Sequence, residues 1–157
     1  MAIDKIPSAA LDSGVPTRAQ LPAGSVLQVL NFTYTTPETY TNTSFAASGI
    51  TLTITPTAAT SKILITGSVD LYVGAAIYNI VTVYRNSVTN LGATNYGFGA
   101  LYGNTGDRFG QVSFTYLDSP ATTSATTYTV YRRVSSGTGY MNNNSEMSTF
   151  TVWEIAA

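Results

Sequence analysis

From residue 25 onward, apolar and polar positions alternate in short runs separated by turn-forming residues. Ile50-Thr51-Leu52-Thr53-Ile54-Thr55 alternates without a fault and stops at Pro56. Successive side chains leave a strand on opposite faces, so this period of two, with threonine on one side, predicts a half-buried strand. Ile63, Ile65, Val69, Leu71 and Val73 continue the pattern over a longer strand, with Gly67 as a bulge or bend within it. Val26 to Tyr34, Ile77 to Arg85, Val112 to Tyr116, Tyr128 to Val134 and Phe150 to Ile155 complete the strand set. Asn86-Ser87, Asp118-Ser119-Pro120 and Asn142 to Ser145 read as turns or loops. Ser135 to Gly139 reads as a turn that closes a hairpin. The glycine-aromatic stretch 92–107 reads as a loop. No segment has the helical period with caps at its ends, so no helix is expected. About eight strands with regular turn signals predict an all-β, two-sheet antiparallel sandwich, with the jelly roll preferred because its strand count matches. The strand order does not follow from the pattern.

Residues 1–24 break the pattern. They contain Pro7, Pro16 and Pro22, and their apolar residues, Ile3, Ile6, Leu11, Val15 and Leu21, are too sparse for a strand. Proline fixes φ and removes a backbone donor, so the segment reads as an extended N-terminal arm. Its spaced apolar anchors predict docking onto a partner, since a disordered tail has little use for isoleucine and leucine. Residues 25–157 then form the head.

Composition sharpens this picture. Charged residues make up 10% of the chain, against a usual share of about 25%. The second faces of the strands are often apolar or aromatic: Leu64 and Tyr72, then Tyr78, Ile80 and Tyr84, then Trp153 and Ile155. The chain holds 11 tyrosines. Tyrosine and tryptophan are enriched where a surface is covered by a partner, because each combines a large apolar area with one polar tip. The expectation is a homotrimer whose subunit interface includes Tyr72, Tyr78, Tyr84 and Trp153.

The candidate chemistry is sparse. There is no histidine and no cysteine, which removes the usual neutral-pH base, the serine–histidine triad, thiol catalysis and the common zinc ligands. No two of the eight acids lie within five residues of each other, so no local carboxylate pair suggests a glycosidase. Asn104-Thr105-Gly106-Asp107 is only a faint echo of a calcium loop. No enzyme activity, cofactor or metal site is expected. The net charge is −1 and the seven basic residues are scattered apart from Arg132-Arg133, which argues against nucleic acid as a partner. No apolar run approaches the roughly 20 residues that span a bilayer, so no membrane partner is expected either. Tyr96, Phe98, Tyr102, Tyr140 and Asn142 fall in loops that can supply an aromatic platform and amide groups to a glycan.

Several stretches carry a resemblance. Pro22-Ala23-Gly24-Ser25-Val26-Leu27-Gln28-Val29 resembles the start of a domain common in tail-fibre and capsid-decoration proteins of aquatic bacteriophages. The Thr51–Thr55 ladder followed by Pro56 to Leu64 is similar to the same family, as are Tyr84-Arg85, Tyr116 to Pro120, the run 127–131 and Trp153-Glu154-Ile155. Ala2-Ile3-Asp4-Lys5-Ile6 resembles the opening of phage fibre proteins that attach through their N-terminus. The resemblance implies a trimeric jelly-roll module similar in plan to tumour-necrosis-factor-like heads, and brings no catalytic residues. It implies a virion location, with assembly in the bacterial cytoplasm. A short arm before a globular head suits a capsid decoration, or cement, protein bound to the major capsid protein. The alternative is a tail-fibre or tail-tip protein whose head binds host surface polysaccharide.

Overall fold

In a computed structural model, residues 21–157 are described. Ile3, Ile6, Leu11 and Val15 lie outside the described residues. The strands are β1 (Val26–Tyr34), β2 (Glu38–Tyr40), β3 (Ala46–Ile54), β4 (Lys62–Val73), β5 (Ile77–Arg85), β6 (Thr89–Asn90), β7 (Gly99–Gly103), β8 (Arg108–Asp118), β9 (Thr126–Val134), β10 (Gly139–Met141) and β11 (Ser148–Ile155). There is no helix among the described residues.

The strands form two antiparallel sheets. Setting aside the short β2, β6 and β10, sheet A runs β1–β11–β4–β8 and sheet B runs β3–β9–β5–β7. Among these eight strands every connection crosses to the opposite sheet except that from β5 to β7, which stays in sheet B, and the result is the double Greek key of a jelly roll. The alternation seen in the sequence explains which face is buried. Ile63, Ile65, Val69 and Leu71 of β4, Val81 and Val83 of β5, Tyr128 and Val130 of β9, and Phe150 and Val152 of β11 point inward and form one core. Burial of such side chains contributes about 1.5–3 kcal/mol each.

Three local expectations need correction. Ser135–Gly139 does not close a hairpin: β9 belongs to sheet B, whereas β10 pairs with β4 and β2 in sheet A, so this turn carries the chain across the sandwich. Gly67 is neither bulge nor bend. Its register is unbroken between Phe150 and Phe114, and a Cβ there would lie 2.5 Å from Phe114 Cζ. The missing side chain makes room for an aromatic ring in the core. Within 92–107, β7 pairs with β5 through Ile77↔Gly103 to Val81↔Gly99, and Ala93 bridges Gly97. Gly97 has φ +54°, and any side chain there would run into the Val81 carbonyl. Here glycine reports close backbone approach as well as a turn.

Candidate functional site

The outer face of sheet A is organised in bands that cross all its long strands. Antiparallel register places Val29 beside Trp153, Trp153 beside Leu64 and Leu64 beside Leu117. This gives a continuous apolar band, of which Val29 is 44% and Leu117 55% exposed. The Trp153 Nε1 is buried there with no hydrogen-bond partner. Two polar rows follow: Asn31, Thr151, Thr66 and Thr115, then Thr33, Thr149, Ser68 and Ser113. Their short side chains leave a shallow depression of about 370 Å³ lined mainly by serine and threonine residues. Beyond it lies an aromatic band. Tyr72 packs between Phe109 and Tyr140, with ring centroids 4.5 and 5.1 Å away, and its hydroxyl donates to Asp107 Oδ2 at 2.7 Å.

The outer face of sheet B carries two aromatic clusters. Tyr78 stacks on Tyr102 at 4.2 Å and meets Tyr96 edge-on at 5.6 Å. Tyr84 stacks on Tyr131 at 4.1 Å and touches Phe45, over which the Arg133 guanidinium lies. Arg133 also donates to the carbonyls of Thr43 and Asn95. Thr82 donates to Asn90 Oδ1 at 2.6 Å and is fully buried although its side chain points away from the core. The segment after β6 therefore folds over part of this face.

The fold divides the four expected interface residues into two pairs. Tyr72 and Trp153 share the outer face of sheet A but lie in bands about 26 Å apart along β4. Tyr78 and Tyr84 share the outer face of sheet B. The arm residue Leu21 is 37% exposed. It lies just before the point where Gly24 N donates to Ala156 O at 2.8 Å and Ala156 N donates to Ser25 O at 2.9 Å.

Of the five glycan candidates, Tyr96 and Tyr102 come together on Tyr78. Phe98 instead stacks on Phe114 at 5.1 Å at the core, and Tyr140 sits on sheet A beside Tyr72. Asn142 is fully buried. Its amide donates to Tyr34 O at 2.9 Å and its Oδ1 accepts from Ser148 Oγ at 2.7 Å, so it serves the fold. Sequence reasoning missed Val29, Phe109 and Leu117. The available signal was phase: Leu117 is out of step with the inward row Val112, Phe114 and Tyr116.

The buried carboxylates are occupied by structural partners in two cases. Asp118 accepts from Arg85 Nη1 at 2.8 Å and from the Tyr128 hydroxyl at 2.7 Å. Glu154 accepts from Ser61, Thr57 and Gln28. Among the described residues no three acidic side chains gather in a group able to hold a metal. No helix among the described residues is long and apolar enough to cross a membrane. No family model and no curated protein matches the chain.

Proposed function

We propose that the chain is a non-enzymatic structural subunit that assembles as a homotrimer on a bacteriophage virion, as a capsid decoration protein held to the major capsid protein through residues 1–24. The observation that carries the self-assembly reading is the apolar band Val29–Trp153–Leu64–Leu117, which crosses sheet A from edge to edge. Monomeric sandwiches cover such a face with polar side chains, and contiguous exposed apolar surface marks an interaction site. A cyclic trimer joins two different patches of each subunit, so interface aromatics divided between two sheets are compatible with ring closure. The virion location rests on the resemblance described above.

Light scattering on the purified chain tests the assembly, with a trimer mass expected and a lasting monomer at micromolar concentration overturning it. Electron microscopy of whole particles tests the location. Particles decorated at three-fold positions support the capsid reading, and loss of binding on deletion of residues 1–24 supports the role of the arm.

A second reading, adsorption through host glycan by a fibre or tail tip, is favoured by one observation: Tyr96 and Tyr102 are 53% and 39% exposed beside Tyr78. Sugar rings stack on such faces. Binding to host polysaccharide that is lost in Tyr96→Ala and Tyr102→Ala would favour this reading over decoration.

A further inference from the structure

The apolar band of sheet A reaches the point where the chain enters the fold. Val26 is 51% exposed and pairs with Ile155, which lies on the same face as Trp153, two positions along β11. Just before Val26, residues Pro22 to Ser25 form a β-turn. Ser25 N donates to Pro22 O at 3.1 Å, and Ser25 Oγ donates to the same carbonyl at 2.7 Å. Gly24 has φ +87° at the third position, which makes the turn type II. Gly24 N donates to Ala156 O, and Ala156 N donates to Ser25 O, so the turn is tied to the chain just beyond β11. A β-turn reverses the chain. At Leu21 the backbone therefore runs back along sheet A, on the side where Val29 and Trp153 begin the band.

The residues that precede this turn match the band in chemistry and in length. Leu11 and Val15 are four positions apart, about 13 Å of extended chain. From Val29 to Leu117 the band crosses three interstrand steps, about 14 Å. Pro16 and Pro22 bias Val15 and Leu21 toward extended backbone, which a segment laid across strands requires. Between Leu11 and Gln20 the charges of Asp12 and Arg18 cancel. Leu11 stands 11 positions before Pro22, a reach of about 36 Å, which is ample to cross the sheet to Leu117.

We propose that residues 11–20 fold back as a strap over the apolar band of their own subunit, with Val15 against Val29 and Trp153 and Leu11 against Leu117. This rests on the reading of the band as an interaction surface and names its occupant in a lone subunit. The strap and a neighbouring copy compete for one surface, so assembly lifts the strap. Apparent affinity between copies is then reduced by the fraction of subunits in which the band is open. Ile3 and Ile6 lie beyond the strap and stay available to a virion partner.

The chain has one tryptophan and no cysteine, which gives two clean readouts in the full-length protein. Val15→Cys with Val29→Cys, and Leu11→Cys with Leu117→Cys, should each form a disulfide within one chain on mild oxidation. Non-reducing gels read this as a faster-migrating monomer. A cross-link between two chains, or none from either pair, overturns the proposal. The second readout is Trp153 fluorescence, taken at concentrations below the trimer midpoint. Leu11→Asp with Val15→Asp should shift its emission to the red and raise its quenching by acrylamide, whereas Ile3→Asp with Ile6→Asp should change neither. Unchanged emission and quenching in the first variant, or equal changes in both, overturns the strap. Light scattering separates the strap from the trimer. The Leu11 and Val15 variant should assemble at about tenfold lower concentration. A chain that cross-links within itself but stays monomeric overturns the trimer and leaves the strap standing. A trimer whose midpoint ignores the Leu11 and Val15 substitutions overturns the competition and leaves the trimer standing.

Discussion

Glu154 shows how a single side chain organises its neighbourhood. It is fully buried at the end of β11, where Ser61 Oγ donates to it at 2.6 Å and Thr57 N, Thr57 Oγ1 and Gln28 Nε2 each donate at 2.7 Å. Burial alone raises its pKa, but these hydrogen bonds outweigh burial and hold the carboxyl below the ordinary value of 4.5. A depressed folded-state pKa means that the charged form stabilises the fold above the unfolded pKa. That stability is lost as pH falls through the folded value. Glu154→Gln should destabilise the chain by about 2–3 kcal/mol at neutral pH, because an amide presents donors to donors. Urea denaturation checks this, and the gap from the unmodified chain should narrow as pH falls below the ordinary carboxyl value of 4.5 and through the depressed folded one. Gly67 is constrained by packing instead. The Phe114 ring that fills its space is held between Phe98 and Phe150. Gly67→Ala should therefore cost about 1–3 kcal/mol in the same assay.

Between elements, two buried polar contacts clamp the sheets together. At one end, Arg85 of β5 donates to both Asp118 oxygens at 2.8 Å, and Tyr128 of β9 donates to the same carboxylate. Burial, then the bond to Asp118, pushes the Tyr128 phenol far above its ordinary range, so it remains a donor at any physiological pH. At the other end, Asn79 donates to Tyr72 O and Tyr140 O across the sandwich and accepts from Tyr40 at 2.6 Å. Tyr128→Phe leaves the Arg85 pair intact and should cost about 1–2 kcal/mol. Asp118→Ala strands a half-buried guanidinium and a buried hydroxyl and should cost more, about 2–4 kcal/mol. Chemical denaturation distinguishes the two, and equal losses would show that the ion pair contributes nothing beyond the tyrosine bond.

At the scale of the whole molecule, the banding of sheet A matters most. Leu64 and Leu117 are adjacent on neighbouring strands, so Leu64→Glu with Leu117→Lys places two charges in the β4–β8 half of the band. The pair should leave the fold intact by circular dichroism and convert the proposed trimer to monomers by light scattering. Few charges contribute to that surface, so assembly should change little between low and high salt, which screens only electrostatic contacts. Sedimentation at two ionic strengths checks this.

The alternating runs in the sequence determined the strands and which faces are buried, because a period of two assigns inward and outward positions locally. Val26–Tyr34 and Ile77–Arg85 appear in the structure with the bounds their residues predicted. The mostly uncharged surface was equally legible, since composition is independent of fold. Pairing was not. Whether Ser135–Gly139 turns back or crosses over, and whether Gly99–Gly103 pairs at an edge, depends on partners far away in sequence. The same holds for the site residues. Val29, Trp153, Leu64 and Leu117 form a band only because antiparallel register brings distant strands together. Local sequence sets the face of each residue; only the tertiary structure sets its neighbours, because a strand completes its hydrogen bonds through other strands.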